Sequence, residues 1–119
     1  MYSDIARDHF ANPRNVGELE NPDGVGTAKN EVDGDQVQLH LQIKGGKIVD
    51  VKMKVMGCVA AIASTSLLTE MVKGRTLEEA EAITREELTD RLGGLPEQKK
   101  RCSLTCIDAL REAIGRRDE

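Results

Sequence analysis

The stretch from Gln36 to Met56 constrains the fold more than any other part of the chain. Val37, Leu39, Leu41 and Ile43 alternate with Gln36, Gln38, His40 and Gln42. A period of two with one apolar face is the pattern of a half-buried strand. Gly45-Gly46 follows, and two glycines between alternating segments specify a tight hairpin, whose central residues need positive φ. The return segment, from Lys47 to about Met56, sets Val49, Val51, Met53 and Val55 against Asp50, Lys52 and Lys54. A weaker strand is expected around Val25–Glu31, after the turn chemistry of Asn21-Pro22-Asp23-Gly24.

Helical signals flank this sheet. Residues 3–11 suit a short helix that ends near Asn12-Pro13, because a residue before proline avoids helical backbone. Residues 59–73 suit a helix rich in small residues, with Ile62, Leu67, Leu68 and Met71 apolar and Gly74 as its stop. Thr76-Leu77-Glu78-Glu79 and Thr84-Arg85-Glu86-Glu87 both read as capping boxes opening short helices. Gly93-Gly94-Leu95-Pro96 reads as a loop. A last helix is expected from Arg101–Ser103 to about Arg116, with Leu104, Ile107, Leu110 and Ile114 as its stripe. The order implies an α+β domain, residues 1–119, with helices on one face of a small antiparallel sheet.

Composition narrows the function. The formal charge is −4, which leaves no basic footprint for nucleic acid. Tyr2 and Phe10 are the only aromatics, so no stacking platform for bases or sugars is present. No apolar run approaches the ~20 residues of a membrane span, and Met1-Tyr2-Ser3-Asp4 lacks the features of a signal peptide. A cytoplasmic protein is expected. The three cysteines are an odd number, unlike the even sets of secreted disulfide scaffolds. In a reducing compartment their thiols are available for metals or redox chemistry.

Those cysteines, Cys58, Cys102 and Cys106, carry the chemistry, because thiolates select iron–sulfur clusters, zinc and copper(I). All the relevant segments lie at junctions. Asp33-Gly34-Asp35 precedes a strand, Cys58 follows one and precedes a helix, and Cys102 opens the last helix. Junctions at one end of a sheet can converge on one pocket. Cys58 and Cys102 both sit at expected helix N-termini, where free N–H groups and the dipole favour thiolates. Cys102 and Cys106 are spaced i, i+4 on one helix face, a spacing open to a shared metal or a thiol relay. Each residue also has a plainer reading. Cys58 and Cys106 suit small core positions, Asp33-Gly34-Asp35 suits a simple turn, and His40 suits a solvated strand face. His9 is expected at the surface or internally satisfied. Lys99-Lys100-Arg101 is a run that is usually solvated and that also suits an acidic partner or a cluster's negative charge.

Taken together, the motifs resemble a known family. Asn12-Pro13-Arg14-Asn15-Val16-Gly17, Val25-Gly26-Thr27, Gly57 to Ser64, Thr69 to Ala80 and Cys102-Ser103 follow in the order found in the U-type iron–sulfur cluster assembly scaffolds, IscU and the N-terminal domain of NifU. The resemblance runs from residue 2 to about 115. It implies an α+β fold with a three-stranded antiparallel sheet. It also implies a non-enzymatic scaffold that takes sulfur from a cysteine desulfurase, holds a transient [2Fe–2S] cluster, and passes it to acceptor apo-proteins. Cys58 and Cys102 match the family's second and third cysteines, and Asp35 matches the aspartate of its Cys-Gly-Asp segment.

Two site positions depart from the family: its first cysteine is Asp33 here, and its histidine is Arg101. The chaperone-recognition segment, usually Leu-Pro-Pro-Val-Lys, reads Leu95-Pro96-Glu97-Gln98-Lys99, so a chaperone is not implied. A new thiol stands at Cys106. These departures lead to an expectation of ligand relocation, with Cys58, Cys102 and Cys106 joined by Asp33 or Asp35. Arg101 stays protonated and cannot ligate; it could balance a cluster's charge. Cys102 is the expected sulfur acceptor. Two other readings remain: a zinc-dependent sulfurtransferase of the SufU type, and a divergent paralogue that only binds or regulates the desulfurase.

Overall fold

The structure is a computed structural model that describes residues 2–116. Helix α1 (Asp4–Ala11) is followed by strands β1 (Gly24–Asn30), β2 (Asp35–Lys44) and β3 (Lys47–Met56). Four helices complete the order: α2 (Val59–Val72), α3 (Leu77–Glu81), α4 (Arg85–Arg91) and α5 (Lys100–Gly115). A single 3-10 turn, Glu97–Lys99, leads directly into α5. The strands form one antiparallel sheet in the order β1-β2-β3. The expected three-stranded α+β architecture is therefore present, with helices on one face.

The inner face carries Val37, Leu39, Leu41 and Ile43 of β2, and Ile48, Val51 and Met53 of β3, all buried. One expected residue departs from this face. Val49 is exposed and Ile48 is buried, because Gln42 pairs with Asp50 while Ile43 pairs with Ile48. Val49 is thus the extra residue of a β-bulge, which shifts the in–out phase of the first turn of β3. The alternation read from Val51 onward holds.

The outer edge of β3 is occupied at two places. Asn15 accepts from the Met53 N–H (2.7 Å), and the Gly17 N–H donates back to the Met53 carbonyl (3.0 Å). Asn15 reaches this position with φ +58, backbone that asparagine tolerates better than most residues. Nearer the hairpin, Ile48 N–H donates to Arg75 and Gly74 N–H donates to Ile48. An open edge that would otherwise template aggregation is closed by these two segments.

The chain between them and β1 crosses the outer face. Glu18 pairs with Lys54 (2.5 Å), and the Leu19 N–H donates to His40 Nδ1 (3.3 Å). His40 is buried, which corrects the expectation of a solvated histidine. With Nδ1 accepting, Nε2 carries the proton and donates to Gln38 (3.0 Å). His9 is satisfied internally, with Nδ1 2.8 Å from Ser66 Oγ and Nε2 3.4 Å from Glu70.

Helix α2 is buried on nearly all sides, packed between α1, α5 and β3. Its small residues permit that, and its buried hydroxyls bond back to its own carbonyls: Ser64 to Ala60, Thr65 to Ala61 and Thr69 to Ser66. Helix α5 buries Cys106, Ile107, Ala109, Leu110, Ala113 and Ile114. Leu104, expected in this stripe, is exposed, because the buried face runs through Ser103 and Cys106 instead. Of the two expected capping boxes, the one at Thr76 and Glu79 closes in both directions. At Thr84 only the threonine half is made, accepting from the Glu87 N–H; the Glu87 side chain pairs with Arg91.

Gly26 sets how α5 lies on the sheet. A Cβ at this position would fall 2.0 Å from the Ala109 carbonyl oxygen and 2.4 Å from the Ala113 nitrogen. The strand and helix backbones are in direct contact, so neither can yield without moving the whole helix. We expect Gly26→Ala to destabilise the fold by about 3 kcal/mol, as overpacking does. At Gly115, an added Cβ meets nothing within 4 Å, and Gly115→Ala should be neutral or stabilise by up to ~1 kcal/mol. Urea denaturation of both variants checks the contrast.

Candidate metal centre

The site is built where the β2–β3 ladder ends. Gln36 pairs with Met56, so the residues just beyond, Asp35 and Gly57-Cys58, meet. The Cys58 N–H donates to Asp35 Oδ1 (3.1 Å). Gly57 permits this approach, since a Cβ there would lie 2.4 Å from the same oxygen. Cys58 is the N-cap of α2 and its side chain makes no capping bond, which leaves Sγ free to face the site.

Helix α5 supplies the third donor. Cys102 is the third residue of α5 and is fully buried. Its Sγ lies 3.6 Å from Cys58 Sγ, a contact between two free thiols. Cys58 Sγ lies 3.8 Å from Asp35 Oδ2. The donor atoms of Asp35, Cys58 and Cys102 all fall within 4.8 Å of one another. Bonds of ~2.3 Å in tetrahedral geometry separate two thiolate sulfurs by roughly 3.8 Å. The spacing of these donors therefore fits one face of a soft-metal site.

The two aspartates differ in their surroundings. Asp35 is fully buried, and among the described residues no lysine or arginine forms an ion pair with it. Buried charges are normally paired or bound to a metal. Asp33 lies 3.7 Å from Cys102 Sγ but is fully engaged. Arg101 Nε (2.7 Å) and Asn30 Nδ2 (2.9 Å) donate to its Oδ2; Lys99 Nζ (3.2 Å) and the second Arg101 nitrogen (3.3 Å) donate to Oδ1. Arg101 above all, then Lys99 and Asn30, hold the Asp33 carboxyl down to about 2. Two residues of the expected solvated run thus have structural work.

Two sequence expectations change here. The Cys102 thiol is raised, not lowered, by burial and by the Asp35 and Cys58 groups beside it. Desolvation outweighs the helix dipole here. Cys106 is not brought into the donor group. Its Sγ lies 3.1 Å from the Ser103 carbonyl oxygen, it belongs to the main hydrophobic core, and burial pushes its thiol up to about 12. Tyr2, which sequence reasoning passed over, packs, as Cys58 does, against the smaller core cluster. Its hydroxyl is raised first by burial and then by the neighbouring Cys58. No spacing signal links residue 2 to the site.

A half-buried thiol, a buried thiol and a buried carboxylate with no ion-pair partner among the described residues, all at the end of a three-stranded sheet, make a candidate cysteine–carboxylate metal centre. The NifU-like N-terminal domain family matches residues 1–118, and the chain belongs to that family. It is 54 % identical over 114 residues to the iron–sulfur cluster assembly scaffold protein IscU 1 of Archaeoglobus fulgidus, covering 96 % of this chain and 74 % of that protein. It is 44 % identical over 118 residues to the scaffold protein IscU of Haemophilus influenzae, covering 96 % and 93 %. Among solved structures, a Fervidobacterium islandicum protein described as an iron–sulfur cluster assembly scaffold for the SUF system superposes with a TM-score of 0.79. That pair is 29 % identical, covering 95 % of this chain and 96 % of the other.

The charge state of Asp33 gives a pH prediction. Its folded value lies below the ordinary carboxylate value, so its contribution to stability is present above about pH 4 and is lost as pH falls toward 2. The stability difference between wild type and Asp33→Asn should be constant from pH 5 to 7 and shrink as pH approaches 2. Urea titrations at each pH measure it.

Proposed function

We propose that this chain is a scaffold for iron–sulfur cluster assembly. It accepts sulfur from a cysteine desulfurase, holds a transient [2Fe–2S] cluster as cargo, and passes it to acceptor apo-proteins. The observation that carries this reading is Asp35: a buried carboxylate with no ion-pair partner among the described residues, set beside two free thiols. Such a donor set calls for a cation. Cys58, Cys102 and Asp35 are the proposed cargo ligands. A carboxylate is a harder ligand than a thiolate, so iron held partly by Asp35 is more readily released, as a scaffold requires.

Sulfur delivery follows thiol–disulfide logic. A thiolate of the scaffold attacks the terminal sulfur of the desulfurase persulfide. A new S–S bond forms on the scaffold, the donor's S–S bond breaks, and the donor thiolate leaves with the electron pair, so no external oxidant is needed. Cys58 is the more reachable thiol, and Cys102 can act as acceptor only once it is uncovered.

The zinc sulfurtransferase alternative draws on the 3.6 Å sulfur–sulfur distance, which also suits one tetrahedral ion. Anaerobic purification with iron, zinc and acid-labile sulfide analysis separates the two. We expect iron and sulfide in near-equal amounts, with charge-transfer absorption that is lost in Cys58→Ala and Cys102→Ala. Cys106→Ala should keep the absorption and cost about 1 kcal/mol of stability. One zinc without sulfide would replace the scaffold reading with the sulfurtransferase. A protein that can be neither loaded nor reconstituted would leave only desulfurase binding.

A further inference from the structure

Asp33 and Arg101 are the two site positions at which this chain departs from its family's cysteine and histidine, and the structure places them in direct contact. Arg101 grips both oxygens of Asp33, at 2.7 and 3.3 Å, the bidentate geometry in which guanidinium–carboxylate pairs are strongest. Lys99 adds a second cation at 3.2 Å and Asn30 an amide at 2.9 Å. The Asp33 side chain is only 8 % exposed as a result, although neighbouring Val32 is 75 % exposed. The contacts join the β1–β2 loop to the first turn of α5. Cys102 lies in that turn, with Sγ 3.7 Å from Asp33 Oδ2, and none of its surface is exposed.

We propose that the Asp33–Arg101 ion pair, backed by Lys99, is a latch over Cys102 and stands outside the metal-binding set. Both Asp33 oxygens already accept from charged or amide donors, and two cations beside them repel an incoming metal ion. Asp35 accepts one amide N–H, from Cys58, and among the described residues no lysine or arginine pairs with it. The loop that carries Asp33 can swing without disturbing the sheet. It lies outside the β1–β2 ladder, which ends at Asn30 and Asp35, and Gly34 takes φ +76. Cys58 is half-buried with the latch closed; Cys102 is reached only when it opens. The latch therefore makes the two thiols available in sequence, Cys58 first. This deepens the scaffold reading and rests on it only for what eventually enters the site.

The test reads thiol access on the reduced, metal-free full chain, so it stands or falls separately from cluster loading. Iodoacetamide labelling followed by peptide mass mapping gives a rate for each cysteine. In wild type we expect Cys58 to label faster than Cys102, and Cys106 to stay unlabelled as an internal report of an intact core. Asp33→Asn and Arg101→Gln should each raise the Cys102 rate about tenfold, the effect of losing ~1.4 kcal/mol of closure. The double variant should add nothing further, because the two residues act as one pair. An unchanged Cys102 rate in both single variants with Cys106 still protected overturns the latch. If a substitution also unprotects Cys106, wild-type labelling against ionic strength decides. Arg101 is 42 % exposed, so salt should speed Cys102 labelling by screening the pair, and a flat response overturns the proposal. A Co²⁺ titration covers the other half of the claim: Asp33→Asn should retain thiolate–Co²⁺ absorption, and its loss would make Asp33 a ligand.

Discussion

The hydrogen bond from the Cys58 N–H to the buried carboxylate of Asp35 holds together the two chain segments on which the site depends. It exists because β2 and β3 pair with Gln36 opposite Met56, so that the first residue of β2 faces the turn leaving β3. Gly57 leaves room for the carboxylate at that turn. Helix α2 then begins at Cys58 and runs into the core, which fixes the direction of the cysteine side chain. Independently, Gly26 lets α5 rest directly on the β1 backbone, and that contact carries Cys102 to the same end of the sheet. A register, a glycine turn and a close helix–strand contact are enough to assemble three donors that lie far apart in the chain.

Asp33 and Asp35 show how position in the fold assigns different roles to chemically identical side chains. They are two residues apart, one in a loop and one in the ladder. Asp35 is sealed from solvent without an ion-pair partner among the described residues, which is costly unless a cation arrives. Asp33 is neutralised by the start of α5. The first arrangement favours binding a metal; the second favours closing over a thiol.

Cys106 illustrates the reach and the limit of spacing arguments. The i, i+4 relation to Cys102 does place both on one helix face. Four residues are also about 6 Å of rise, and that rise carries Cys106 from the site's edge into the main core, where its Sγ meets the Ser103 carbonyl. Direction was readable from periodicity; depth was not. The same distinction explains Leu104, which lies outside the buried stripe of α5, and Val49, which a bulge turns outward.

Much of this molecule was legible in local chemistry. Asp35 is singled out by the resemblance to the scaffold family; the hairpin from Gln36 to Met56, the helix that follows Cys58, the threonine caps and the candidacy of Cys58 and Cys102 follow from period, turn residues and ligand type. These are short-range properties, set by how neighbouring residues share a face or satisfy a backbone group. What only the tertiary structure decided was environment. It buried His40 beneath the segment that crosses the sheet, raised the Cys102 thiol by desolvation, engaged Asp33 with Arg101 and Lys99, and left Asp35 without an ion-pair partner among the described residues. Solvation and charge pairing depend on groups tens of residues away in the chain, so no local pattern encodes them.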